Sequence, residues 1–183
     1  IRMNTKNKKL KIAIAGLGFG KKVHLEALKE SNYLTPVAIY HYDKKQKSIL
    51  EKETGLEFFH DWEDLVKSQE IDGIIIATPP ESRFKLAKQA LENNKNLLLE
   101  KPVSISSSEI EELQRISLIN NLSVCVDFEY RAVPLFLQTK KLIDENILGE
   151  IYLVKLDWLM GSRSDPKRAW NWYSLEEKGG GVI

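Results

Sequence analysis

At 183 residues, 43% of them apolar, the chain has material for one sizeable globular domain plus part of another, and it is too apolar to be disordered. Its 27 basic against 26 acidic residues leave a net charge near +1, which gives no electrostatic case for nucleic acid or an anionic membrane as partner. The single cysteine, Cys125, rules out an internal disulfide and fits a reducing, cytoplasmic setting, and no apolar run approaches the ~20 residues of a membrane span.

Ile1-Arg2 ahead of Met3 reads as an addition to a native start, and Lys6 to Lys11 as a solvated tail. Leu10 to Ala15 is a short apolar run bounded by glycine, the pattern of a buried parallel strand. Gly16-Leu17-Gly18-Phe19-Gly20 follows, and then Val23, Leu25, Ala27 and Leu28 suggest a helix. Strand, glycine turn and helix together make a dinucleotide fingerprint. Gly16 would make the tight turn, Gly18 would let the backbone approach a pyrophosphate, and the helix start would offer N–H groups to that anion. The third glycine of G-x-G-x-x-G falls at position 21, where Lys21 stands; Gly20 comes one place early. A purely structural βα turn is the competing reading.

Pro36 to His41 reads as a second strand, Lys44 to Thr54 as a helix closed by Gly55, and Leu56 to Phe59 as a third strand. Asp61 is placed to cap a helix through Lys67. Asp72 to Ala77 is a strongly apolar fourth strand, stopped by Thr78-Pro79-Pro80. Ser82 to Asn93 is helical, with Phe84, Leu86, Ala87, Ala90 and Leu91 as its buried side. Asn96 to Leu99 is a fifth strand, Ser106 caps a helix through Ile119, and Ser123 to Phe128 is a sixth strand that buries Cys125. This alternation predicts an α/β fold: a Rossmann-type, doubly wound parallel sheet, with a ligand at the carboxyl ends of its strands. Four of those ends carry unusual chemistry: Gly16–Gly20, His41–Lys45, Thr78–Pro80 and Glu100–Pro102.

From Arg131 the pattern changes. Pro134 to Asn146 reads as a helix, and Glu150 to Met160 alternates with period two, predicting a long strand of a second sheet. Residues 9–129 are therefore assigned to a dinucleotide-binding domain and 130–183 to the beginning of a second α+β domain. Three widely spaced histidines and one cysteine give no metal-ligand spacing. His60 reads as structural, and Arg131 as a substrate ligand or an anchor of the domain junction.

The end of the second strand bears on cofactor choice. NAD-specific sites place an acidic residue there to accept from the ribose hydroxyls. Here His41-Tyr42 stand with Lys44 and Lys45 close behind, and Lys21 and Lys22 open the first helix, where cations oppose its dipole. The expectation is NADP over NAD, with Asp43 as counter-evidence, since a one-residue shift would make it the ribose acceptor.

Several segments together resemble the Gfo/Idh/MocA oxidoreductases, the family of glucose-fructose oxidoreductase and inositol dehydrogenase. They are the glycine turn followed by His24, Ala77-Thr78-Pro79-Pro80 ahead of a helix, Asn96 to Leu99 running into Glu100-Lys101-Pro102, and Asp127 to Pro134 followed by Gly149-Glu150-Ile151 and a triple glycine. Lys21, and Arg83 where many members have histidine, depart from the pattern. The resemblance implies hydride transfer between a nicotinamide cofactor and a hydroxyl or carbonyl of a sugar, polyol or related molecule. Lys101 would be the catalytic lysine, with Glu100 placing it and lining the nicotinamide pocket. Gly16, Gly18, Phe19, Gly20, Lys21, His41, Tyr42, Lys45, Thr78, Pro79, Pro80, Glu100, Lys101 and Trp170 would contact the cofactor. The resemblance further implies a longer, homo-oligomeric protein with an Asp/His pair beyond Ile183, and it leaves the Lys101–Pro102 peptide open to a cis geometry. A non-catalytic, nucleotide-sensing regulator on the same fold is the alternative.

Overall fold

The computed structural model describes residues 9–159, 167 and 174–178. Among them six strands, β1 (Leu10–Ala15), β2 (Leu34–Tyr40), β3 (Glu57–Phe59), β4 (Gly73–Ile76), β5 (Asn96–Leu99) and β6 (Val124–Val126), form one sheet in the order β3-β2-β1-β4-β5-β6. Every pairing is parallel. Helices α1 (Leu25–Glu30), α2 (Lys47–Thr54), α3 (Trp62–Lys67), α4 (Pro80–Glu92) and α5 (Ser107–Ile119) connect the strands, and α6 (Pro134–Asp144) follows them. The order reverses direction between β1 and β4, and that switch point opens a crevice at the carboxyl ends.

Strand alternation builds two cores. Ala13, Ala15, Ile74, Ile76, Leu97 and Leu99 face Leu65 and Val66 of α3, Ala87, Ala90 and Leu91 of α4, and Leu113 and Ile116 of α5. On the other face Ile12, Ile14, Ile39 and Ile75 meet Leu25 and Leu28 of α1 and Leu50 of α2. Asp61 caps α3, its Oδ1 accepting from the Glu63 N–H at 2.7 Å, and Gly55 closes α2 at φ +70°.

The structure corrects several boundaries. β2 begins at Leu34, and Pro36 lies inside it at a bulge: Ile12 pairs with Pro36 and Ala13 with Ala38, so Val37 is the extra residue where proline lacks an N–H for the ladder. α4 starts at Pro80, since proline's fixed φ and missing N–H suit the first helical turn. Ser106 stands at the cap of α5, yet its hydroxyl meets that of Ser108 at 2.7 Å and bonds no backbone N–H. Cys125 is exposed, because β6 is an edge strand whose cysteine-bearing face lies beyond the reach of α1 and α2. No strand forms across residues 150–159. A period-two pattern becomes a strand only when a neighbour supplies the ladder, and none does among the described residues; Tyr152, Leu153 and Leu159 stand 84–94% exposed.

Candidate functional site

A cavity of about 730 Å³ opens at the carboxyl ends of the strands. Its walls are four loops: Gly16–Phe19 after β1, Tyr40–Tyr42 at the end of β2, Ala77–Pro79 after β4 and Glu100–Pro102 after β5. Arg83 reaches it from α4, and Glu129 and Tyr130 from the turn after β6.

The glycines do three different jobs. Gly16 has φ +121°, and a Cβ there would lie 2.5 Å from the Ala77 carbonyl oxygen, so only glycine lets the turn pass against the end of β4. A Cβ on Gly18 would meet nothing within 4 Å, so that position faces open space over the cavity. A Cβ on Gly20 would press on Ile14 Cγ2 and Ala77 Cβ at 3.1 and 3.2 Å, so Gly20 performs the close helix-to-strand packing expected of the third fingerprint glycine. It does so one place early because the helix opens with a wide π-turn, Gly20–His24, in which the Lys21 N–H bonds Gly16 O and the Leu25 N–H bonds Gly20 O. Lys21 itself turns away, its ammonium pairing with Glu53 at 2.6 Å.

His24, on this wide turn, is buried and sits at the head of a side-chain network. Its Nε2 lies 2.9 Å from Glu100 Oε1 and 3.5 Å from Asp127 Oδ2. The donor atoms of all three residues lie within 4.8 Å of one another, a grouping that their wide separation in sequence conceals. Burial pushes the Glu100 carboxyl up, but hydrogen bonds from His24 and Asp127 and the charges of His24 and Lys101 outweigh it and hold Glu100 below its ordinary range. Asp127 moves the other way: burial, the hydrogen bond with Glu100 and the Glu100 charge raise it. The two carboxyls are thus pushed in opposite directions, and Asp127 is the more readily protonated of the pair.

Glu100 Oε2 accepts the backbone N–H of Lys101 at 3.2 Å, and the Lys101–Pro102 peptide is cis. The Lys101 ammonium lies 3.1 Å from Glu129 Oε1. Burial alone would lower its pKa, but the hydrogen bond and charge of Glu129, with the charge of Glu100, raise it above the ordinary lysine value, so it stands in the cavity as a cation and proton donor. Arg83 donates to the carbonyls of Thr78, Glu100 and Pro102. Thr78 Oγ1 and Glu129 Oε2 are buried without a hydrogen-bond partner among the described residues, as acceptors awaiting a ligand would be.

At the β2 end, His41 and Tyr42 stack with ring centroids 4.5 Å apart, and His41 Nδ1 accepts from the Asp43 N–H. The Asp43 carboxylate caps the turn after it, accepting from the Lys45 N–H at 3.0 Å.

Of the residues expected at a cofactor, Gly16, Gly18, Phe19, His41, Tyr42, Thr78, Pro79, Glu100 and Lys101 line one cavity. Gly20 supports it from beneath, Pro80 is buried at the start of α4, and Lys45 is exposed to one side. Lys21 is engaged with Glu53 instead, and Trp170 lies outside the described residues. Arg131 is exposed and absent from the cavity wall. The sequence reading missed roles for His24, Arg83, Asp127, Glu129 and Tyr130. Asp127 and Glu129 follow β6 at the same sheet edge, so reading that strand's end as the other four were read would have found them.

The oxidoreductase family model with an NAD-binding Rossmann fold matches residues 10–128, and the same family's C-terminal alpha/beta domain matches 140–183. The chain belongs to the Gfo/Idh/MocA family. An uncharacterized oxidoreductase of Synechocystis, sll0816, is 39% identical over 180 residues, 98% of this chain and 48% of that protein. Glucose-6-phosphate 3-dehydrogenase of Bacillus subtilis is 28% identical over 83% of this chain and 43% of its own length. The scyllo-inositol dehydrogenase of Lactobacillus casei, in its structure with bound NAD(H) and scyllo-inositol, is 27% identical and superposes with a TM-score of 0.72 over 79% of this chain and 43% of that one. The chain thus spans about half the length of the Gfo/Idh/MocA relatives it matches. Among the described residues no helix is long and apolar enough to cross a membrane.

Proposed function

We propose that this protein is an NAD(P)-dependent oxidoreductase acting on a hydroxyl or carbonyl of a sugar, polyol or related small molecule. One observation carries the reading: a single cavity has the glycine turn at one end and the Lys101 ammonium at the other. The residues fit a dinucleotide, because Gly18 leaves room for a pyrophosphate at a helix start, and Thr78 Oγ1 offers a buried, unused polar atom beside the same cavity. The nicotinamide, when bound, supplies or takes up the hydride. Lys101 hydrogen-bonds the reacting oxygen, stabilises alkoxide charge as it develops and exchanges the proton, with Glu129 beside it as the next acceptor. Glu100, held by His24 and Asp127, fixes the backbone that carries the lysine. The division between cofactor and substrate domains is placed at 129/130 in this reading.

The intact protein, offered a panel of sugars and polyols with either cofactor, should change nicotinamide absorbance with at least one. Lys101→Ala should lower kcat about 10²–10⁴-fold while leaving nucleotide affinity within about threefold. Near-normal turnover by that variant overturns the assignment and favours a nucleotide-sensing role.

The reading includes a preference for NADP. His41 presents no negative charge, Lys45 stands exposed in the turn that follows, and Asp43 Oδ1 is taken up by the cap of that turn. Lys21 no longer contributes, being paired with Glu53. Titration of both cofactors should show tighter NADP binding, with His41→Asp shifting the ratio about tenfold toward NAD. Tighter NAD binding by the unaltered protein overturns the preference.

A further inference from the structure

Arg83 is the largest fully buried side chain among the described residues, 2% exposed. It sits on the first turn of α4, in line with Ala87, Ala90 and Leu91, the residues that pack this helix on the sheet. Alanine and leucine do that packing without charge. Burying a guanidinium there is costly unless its donors are used, and what they are used on is specific. Nη1 donates to the Glu100 carbonyl at 2.6 Å and to the Pro102 carbonyl; Nη2 donates to the Thr78 carbonyl. The two acceptors of Nη1 are the residues on either side of Lys101. The acceptor of Nη2 belongs to the neighbouring loop after β4, which forms the adjoining wall of the cavity.

A planar guanidinium holds its donors at fixed angles, so it ties the two loops at a set distance and orientation, which a lysine ammonium on a flexible stem cannot do. With the Glu100 carboxylate on the Lys101 N–H, the backbone around the lysine is gripped on three sides, while its side chain remains 44% exposed in the cavity. The base of Lys101 is fixed, while its tip stays exposed in the cavity beside Glu129.

We propose that Arg83 is a positioning residue for Lys101, clamping the Thr78 and Glu100–Pro102 loops together so that the ammonium meets the reacting oxygen. The proposal rests on the hydride-transfer reading for its effect on rate, though not for its effect on the loops. In the intact protein, Arg83→Met should lower kcat about 100-fold, the scale of a misplacement of about 1 Å, with nucleotide affinity changed less than about threefold. Arg83→Lys, able to serve some of the carbonyls, should recover part of that loss. Hydrogen exchange read by mass spectrometry should show peptides covering 100–104 opening at least about tenfold faster in Arg83→Met, with β1 and β4 unchanged. Unchanged turnover, a parallel loss of nucleotide affinity, or faster exchange spread through the whole sheet would overturn the clamp. Absence of turnover by the unaltered protein on every substrate would sink the functional reading alone, and the exchange pattern would then decide the clamp by itself.

Discussion

The two edges of the sheet are built from similar materials and end in opposite conditions. At the amino edge, Lys95 is buried at 5% exposure, and its ammonium donates to the carbonyls of Ser68 and Ile71 at 2.6 and 2.8 Å. Asp72 accepts the Lys11 N–H at 2.7 Å, and Lys11 pairs with Glu70. Polar groups there close on one another. At the carboxyl edge Arg83 makes a comparable set of carbonyl contacts, but around it lie a cavity, an ammonium in its wall and two buried oxygens without partners among the described residues. A buried cation on backbone carbonyls is therefore no mark of function by itself. What sets this edge apart is unfinished hydrogen bonding in the wall of a cavity that a ligand could enter.

Gly16 gives the largest way to break this contrast. Gly16→Ala puts a Cβ into the Ala77 backbone at a positive φ, and should cost about 3 kcal/mol of stability along with nucleotide binding, read by denaturant melts and titration. Gly18→Ala has open space around it and should leave the melt unchanged while weakening nucleotide affinity. Equal destabilisation by both would remove the distinction between a fold glycine and a ligand glycine.

A smaller effect is expected at the amino edge. Lys95→Met leaves two carbonyls without their donor and should cost about 1–3 kcal/mol in the same melts, with kcat and nucleotide affinity unaltered. A drop in kcat matching that of Arg83→Met would show the edges to be coupled.

The smallest effect is in pH. Asp127 has a raised pKa, so its contribution to stability is full below the unfolded carboxyl value of about 3.9 and is lost as pH rises through the raised value. Glu100 has a lowered pKa, so its contribution is present above about 4.3 and is lost as pH falls through the lowered value. Asp127→Asn supplies a permanent donor to Glu100. The melting temperature of the unaltered protein should therefore fall relative to Asp127→Asn as pH is raised from about 4 toward neutrality. Parallel pH profiles would place the titrating group elsewhere.

Much of this architecture can be read in the chain. Apolar runs such as Ile74-Ile75-Ile76 between a glycine and a proline pair leave little choice but buried strand, and six such runs separated by helices dictate the parallel sheet. Local pattern fails where a partner decides. Residues 150–159 carry the alternation of a strand and pair with nothing among the described residues, and Cys125 lies in an apolar run at an edge that no helix covers. The site was legible in its loops and hidden in its wiring. Arg83 falls four residues before Ala87, on the buried stripe of its helix, so a helical wheel would have flagged a charge among apolar neighbours. The union of His24, Glu100 and Asp127 depends on three chain segments converging, and no spacing encodes it.

The Lys21–Glu53 pair changes how an anion would arrive at this crevice. With that lysine balanced by a carboxylate, more of the attraction at the mouth of the glycine turn is left to peptide dipoles, which act over a few ångströms. Dissolved salt screens charges beyond a Debye length of about 8 Å under physiological conditions and has little hold on so short a field. Capture of a dinucleotide at this end would then depend more on fit than on long-range attraction, with exposed Lys22 as the neighbouring charge that salt can still screen.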